Sequence, residues 1–143
     1  MNQPTHIHTT PESGRNFFAA HRGKGKVVML NLLKFKEKAD YSISPELAPA
    51  NEISGEAAYQ TYAKHALPLL EKAGSKTLFY GTCSPFLIGP STEAWDAMLL
   101  VEHESAEAFV AFSQDKAYLK IVGHRTAALE DSRLLPIKKG SLL

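Results

Sequence analysis

The sequence predicts an α+β fold in which one layer of helices covers one face of a four-stranded antiparallel sheet. Three observations carry this. Two strand-like runs, Val27-Val28-Met29-Leu30-Asn31-Leu32-Leu33-Lys34-Phe35 and Ala94-Trp95-Asp96-Ala97-Met98-Leu99-Leu100-Val101-Glu102, are apolar on both faces. Successive strand residues point to opposite faces, so a sheet with one wet face should alternate apolar and polar. Here Met29, Leu33 and Phe35 face one way while Val28, Leu30 and Leu32 face the other. Between the two runs lies a long stretch of helical period, and the elements follow the order strand, helix, strand, strand, helix, strand. The helices supply one covering layer, so a second copy of the chain is the natural second layer.

Taken in order, Met1 to Thr10 is polar and reads as a flexible N-terminus, and residues 11–143 as a single domain. Thr10 followed by Pro11 is a helix start, a hydroxyl cap and then proline at the first helical position. The helix uses Phe17 and Phe18, runs to His21 and ends at Gly23 and Gly25. The first double-faced strand spans about Lys26 to Lys36. Residues 37–53 show no period and contain Pro45 and Pro49, a pattern expected of a flap, an interface arm or disorder. Ser54 caps the next helix, Glu56 to Ala73, in which Tyr59, Tyr62, Ala63, Ala66, Leu69, Leu70 and Ala73 recur at three and four residues. Pro68 removes one backbone donor and is expected to bend this helix, and Gly74 ends it.

A strand from Lys76 to Ile88 follows, with a break or bulge expected near Gly81 or Pro85. Gly89-Pro90-Ser91-Thr92 turns the chain back into the second double-faced strand. Ser105 caps a helix built on Phe109 and Phe112, a further helix is expected over Asp115 to Leu129, and Arg133 to Ile137 closes the sheet. Apart from the extra N-terminal helix this is the ferredoxin-like βαββαβ arrangement. Two such sheets packed face to face would form a dimeric α/β barrel with the helices outside.

Composition narrows the function classes. The 143 residues are 44% hydrophobic and 22% charged, with sixteen basic against fifteen acidic residues and a net charge of +1. Neither a basic block nor an acidic tail is present, so no nucleic-acid surface or membrane patch is expected. The lone Cys83 excludes an internal disulfide and reads as a small buried apolar residue. With no hydrophobic signal core and no run of membrane-spanning length, the chain fits the cytoplasm.

The segments VVMLNLLKF, GEAAYQTYAKHALPLLEKAGSKTLFYG, EAWDAMLLVEHESAEAF and GHRTAALEDSRL, in this order, resemble the family known as domain of unknown function thirteen-thirty. The resemblance spans roughly residues 26 to 135. It implies membership of the dimeric α/β-barrel superfamily, the ferredoxin-like fold and a homodimer. It brings no agreed activity, since the superfamily holds monooxygenases, isomerases, haem enzymes and proteins without known chemistry. The N-terminal helix and the segment before Ser54 depart from the plainest family pattern.

No zinc spacing, phosphate loop, dinucleotide fingerprint or nucleophile elbow is present. His6 and His8 share one side of an extended segment but lack a third ligand, so no metal site is expected. Asn31 is a conspicuous amide on an apolar strand, which either bonds within the core or across the dimer, or orients a ligand in a pocket. Tyr62 and His65 sit one turn apart on the long helix, and His65 is the candidate catalytic acid or base; the plainer alternative is a half-exposed structural histidine. Arg125 falls on a stripe with Tyr118, Val122 and Leu129, where a charge needs a partner. That partner is Glu102, Asp96, carbonyls at a helix end or an anionic ligand, and His124 beside it can join either arrangement. Tyr80 and Trp95 lie on adjacent strand-like segments and either line a cavity or fill the core.

The resulting expectation is a cytoplasmic homodimer that binds a small organic or anionic molecule in a cavity between sheet and helices, near Asn31, Tyr62, His65, Tyr80, Trp95, His124 and Arg125. The enzymatic alternative is cofactor-independent oxygenation or isomerisation of an enolisable or aromatic substrate, and the contrasting one is a non-catalytic structural dimer. No cofactor fingerprint is legible; a haem variant with His65 or His124 as axial ligand ranks below these.

Overall fold

The computed structural model describes residues 4–143. It contains α1 (Pro11–His21), β1 (Val27–Phe35), a short 3-10 turn (Pro45–Leu47), α2 (Gly55–Lys72), β2 (Lys76–Thr82), β3 (Ala97–His103), α3 (Ala106–Ser113), α4 (Lys116–Ile121), α5 (Gly123–Ala128) and β4 (Leu129–Ile137). The four strands form one sheet in the order β2-β3-β1-β4, and all neighbours are antiparallel. This is the ferredoxin-like βαββαβ topology with α1 added before it.

Local sequence sets the helix starts. Thr10 Oγ1 accepts from the Ser13 N–H at 3.1 Å and Ser13 Oγ accepts from the Thr10 N–H at 3.0 Å, a reciprocal capping box. Ser54 Oγ takes the Ala57 N–H at 3.0 Å, Ser105 Oγ the Ala108 N–H at 2.9 Å, and the Asp115 carboxylate the Ala117 N–H at 2.8 Å. Gly55 opens α2 because a Cβ there would collide with the carbonyls of Lys36 and Ala128. Gly74, at φ +82°, turns the chain out of α2 in the left-handed region.

The strand register gives each face a definite composition. Cross-strand partners share a face, so Leu135, Leu30, Leu100 and Phe79 form one row across all four strands. It lies on the face without helices, where Phe79 and Leu135 are 55% and 56% exposed. Val28, Leu32 and Met98 flank it. On the helix-bearing face, Met29 and Val101 form one buried row and Leu33 and Ala97 another. Between these lies a row of Leu134, Asn31, Leu99 and Tyr80 that the helices cover less completely. The core unites Leu33, Ala97 and Leu129 from the sheet with Ala58 and Tyr59 of α2 and Ala128 of α5.

Several boundaries differ from the sequence expectation. The helix expected over Asp115 to Leu129 breaks at Val122 into α4 and α5. At the break, a Cβ on Gly123 would come within 2.5 Å of Ser44 Oγ and 2.7 Å of Leu47 Cδ1, so residues of the 37–53 segment occupy the space. Strand β4 begins at Leu129 rather than Arg133, since Leu129 pairs with Phe35 beyond a register shift. Strand β2 ends at Thr82, and its irregularity lies between Thr77 and Phe79 instead of near Gly81 or Pro85. Cys83 therefore lies just past the strand and is partly exposed.

The N-terminal stretch, expected to be loose, makes defined contacts from His6 onward. The His6 N–H donates to Asp131 Oδ1 at 2.8 Å, and Ser132 Oγ donates to the His6 carbonyl at 2.6 Å. Ile7 packs on the core cluster.

His103, at the end of β3, is buried beside the Phe109 ring, with Nδ1 2.8 Å from Ser75 Oγ. Burial holds its pKa down at about 4, against 6.5 for an ordinary imidazole. The unfolded chain therefore takes up a proton that the folded chain refuses, so stability is intact above about pH 6.5 and declines as pH falls toward 4. Urea unfolding at pH 7.5 and pH 4.5 should show a loss on the order of 2 kcal/mol from this residue, largely absent in His103→Gln.

Candidate functional site

An open cleft of about 450 Å³ lies where β1 ends and α2 begins. Phe35 and the following Lys36 and Glu37 form one side, Ser54 and Glu56 at the start of α2 another, and Tyr80, Thr82 and Asp96 the third. Tyr80 and Thr82 belong to the helix-bearing face, so the cleft sits between that face and the first turn of α2. Tyr80 also ends the less covered row that continues through Leu99 to Asn31.

The lining is mixed in character. The Phe35 and Tyr80 rings supply apolar wall. Burial, then the nearby Glu56 and Cys83, push the Tyr80 hydroxyl above its ordinary range, which keeps it protonated and able to donate to a ligand. Asp96 Oδ2 accepts the Phe35 N–H at 2.7 Å, which ties the loop before β3 to the end of β1. Lys36, part of the lining, leans at 3.7 Å on Asp40, which is not. Carboxylates of Glu37, Glu56 and Asp96 thus outnumber the single cation.

Of the residues singled out from sequence, Tyr80 lines this cleft and the others are placed elsewhere. Asn31 Nδ2 donates to Leu99 O at 3.2 Å and Met29 O at 3.4 Å, so its amide is held by the sheet itself. The buried Trp95 gives its indole N–H to Glu93 at 2.8 Å, and the Arg133 guanidinium lies 4.9 Å above its ring. Tyr62 shares a 2.8 Å hydroxyl contact with Tyr118 and packs on Tyr59. Burial, with Tyr118 adding to it, drives the Tyr62 pKa well above the ordinary phenol value, and burial raises that of Tyr59 to about 12. Neither can serve as a base near neutrality. His65 is exposed and stacks on His124 at 5.8 Å, while His124 Nδ1 sits 2.7 Å from the Tyr41 hydroxyl.

Arg125 meets neither of the two carboxylates considered from sequence. Its Nη1 donates to the Ile7 carbonyl at 2.8 Å, and the N-terminal stretch is thereby clasped between Arg125, Asp131 and Ser132. The helix break at Val122 removes the single stripe on which Arg125 was expected to lie. Among the described residues no group of three or more His, Cys, Asp and Glu side chains is placed to hold a metal ion, and no helix is long and apolar enough to cross a membrane. His6 and His8 are exposed.

The sequence reading passed over Phe35, Glu56 and Tyr41. Glu56 was within reach of it, since it stands three residues before Tyr59 on the same helical stripe. Tyr41 carried no signal, because it lies in the aperiodic segment.

Comparison with known proteins agrees with this architecture. The family model described as Domain of unknown function (DUF1330) matches residues 47–137, more than half of the chain, and the chain belongs to this family. The RPA0582 protein of unknown function from Rhodopseudomonas palustris is 36% identical, with 96% of this chain and 99% of that one covered and a TM-score of 0.83. Its methylated form gives a TM-score of 0.85 at the same identity, covering 96% of this chain and 97% of that one. A dimeric protein of unknown function and ferredoxin-like fold from Bacteroides fragilis shares the fold at 11% identity and a TM-score of 0.52, over 80% of this chain and 96% of that one. No curated protein matches the chain.

The clasp makes a direct prediction. A charged donor lost from a partly buried carbonyl costs about 1.5–3 kcal/mol, below the roughly 3–5 kcal/mol of a stranded ion-pair partner. Arg125→Met should lower urea-unfolding stability within the smaller range and speed amide exchange of His6. A loss under about 0.5 kcal/mol would show that the clasp contributes little.

Proposed function

We propose that this member of the DUF1330 family is a homodimer, closed through the helix-free sheet face, that binds a small organic molecule in the cleft between α2 and the ends of β1, β2 and β3. The observation that carries the reading is the division of labour between the two faces. One face has an unbroken apolar row of Leu135, Leu30, Leu100 and Phe79, whose outer members are half exposed in the single chain. A contiguous apolar patch of this kind marks an interaction surface. The other face carries the aromatic and polar cleft. The Bacteroides fragilis protein of the same fold is dimeric, which supports a dimer here.

The chemistry of the cleft favours a ligand with an apolar ring or chain against Phe35 and Tyr80 and hydrogen-bond donors toward Glu56 and Asp96. If a reaction takes place there, Glu37, Glu56 and Asp96 are the carboxylates at hand for proton transfer, whereas His65 stacks on His124 outside the lining. A cytoplasmic setting suits a chain whose single cysteine is a partly exposed free thiol.

Sedimentation should give a dimer at micromolar concentration, with at least about 2,000 Å² buried in total. Leu30→Glu, which sets a charge in the middle of the apolar row, should give a folded monomer. A wild-type monomer would refute the interface. For the cleft, ligand-observed NMR with a library of small aromatic amines and alcohols should find binders. Tyr80→Phe combined with Glu56→Gln should weaken them about tenfold, since each lost hydrogen bond is worth about 0.5–1.5 kcal/mol. Binders unaffected by both changes would place the site elsewhere.

A further inference from the structure

Between β1 and α2 the chain crosses α5 as a strap. Its ends are fixed by backbone bonds: Lys36 N–H to Ala128 O at 2.8 Å, Gly55 N–H to Lys36 O at 2.9 Å, Ala39 N–H to Ile53 O at 2.9 Å and Asp40 N–H to Ala127 O at 2.9 Å. Farther along, Ile43 points into solvent, and Ser44 and Leu47 lie over Gly123. The side-chain hydrogen bond from strap to helix is that of Tyr41, whose hydroxyl sits 2.7 Å from His124 Nδ1 and whose ring meets the imidazole edge-on. His124 is only 8% exposed, and His65 of α2 stacks on it with the ring planes 14° apart.

We propose that Tyr41, His124 and His65 form an acid-released latch that holds the 37–53 strap on α5. In the neutral state His124 is an uncharged ring buried under the strap, satisfied by one hydroxyl. Protonation does not break that hydrogen bond, because the charged ring can donate Nδ1–H to the tyrosine oxygen. It does place a cation where, among the described residues, no carboxylate neutralises it. On the strap, Asp40 is engaged by Lys36 and the Ser42 N–H, Glu52 by Lys38, and Glu46 is exposed. On α4, Lys116 and Lys120 are exposed cations, and Arg125 of α5 is turned to the Ile7 carbonyl. From α2 the facing group is His65, whose ring stacks on that of His124 and offers no negative charge to offset a cation there.

Burial first, and His65 second, hold the His124 pKa below the ordinary imidazole value. A group with that shift binds its proton better once exposed, so acid favours the state in which the strap has lifted and the ring reaches water. Lys36 and Glu37 at one end of the strap and Ser54 at the other line the cleft, so lifting loosens two of its sides. The latch is a property of the free protein and does not depend on the ligand proposed above.

Amide exchange by NMR, expressed as protection relative to the intrinsic rate at each pH, tests it. Between about pH 7.5 and 5.5, protection of Ala39 and Asp40 should fall severalfold, with about tenfold the ceiling that one imidazole allows, while that of central β1 amides changes less than about twofold. His65→Gln, a change at an exposed position, should shrink the fall at the strap, and His124→Gln should abolish it. In the wild type, the His124 C2 proton should titrate below the ordinary imidazole value, and the fall in strap protection should level off at that same pH, a readout that needs no variant to fold. Strap and β1 amides losing protection together would overturn the proposal, as would an unchanged strap, a His124 that titrates at or above the ordinary value or wild-type behaviour in His65→Gln.

Discussion

Strand β1 is hydrogen-bonded on both edges and apolar on both faces, and the architecture follows from what must surround it. Its edges are taken by β3 and β4, and its odd-numbered residues Val27, Met29 and Leu33 are closed off by the helices. Burying such side chains is worth about 1.5–3 kcal/mol each, the largest favourable term available to a small domain. Its even-numbered residues Val28, Leu30 and Leu32 have no cover within the chain. A wet face in their place would have needed no cover; the apolar one is the reason a second layer is proposed for it.

The helix layer is fitted to this strand at close range around the start of α2. Gly55 donates to the Lys36 carbonyl at 2.9 Å in a position where any side chain would collide with two carbonyls, and Lys36 donates in turn to Ala128. Three elements therefore meet through backbone alone: the end of β1, the start of α2 and the end of α5. Their approach leaves the cleft beside Phe35 and Tyr80 and sets the path of the strap over Gly123. The site and the strap share a common origin in that junction.

Much of the fold was legible because its signals are local and periodic. Thr10-Pro11, Ser54 and Ser105 mark helix starts by side-chain chemistry, and Tyr59 and Ala66 mark the buried stripe of α2 by spacing. The double-sided apolar pattern of β1 and β3 is visible without any partner. What escaped depends on contacts distant in sequence. The break before Gly123 is set by Ser44 and Leu47, about eighty residues away, while the residues of α4 and α5 alone read as one helix. The first turn of β4 was hidden because Leu129 pairs with Phe35 across a register shift that no period announces. The candidate site was legible only in part. Tyr80 could be named for its residue type, but the grouping of Phe35, Glu56 and Asp96 is a product of the junction, and Arg125 found its partner in a stretch with no pattern at all.

That last contact has a bearing on how the family can vary. Arg125, Ser132 and Asp131 all grip main-chain atoms of His6 and Ile7, the carbonyls and one N–H, and none of them touches a side chain's functional group there. The clasp therefore recognises where the chain runs and is blind to which amino acids it carries, beyond an apolar residue at position 7 for the core. Its tolerance is for substitution and not for length. Position 6 can accept any residue with a backbone N–H and position 7 any apolar one, whereas one residue inserted or deleted between them and Pro11 displaces the gripped peptide groups by about 3.3–3.6 Å, more than a hydrogen bond can span.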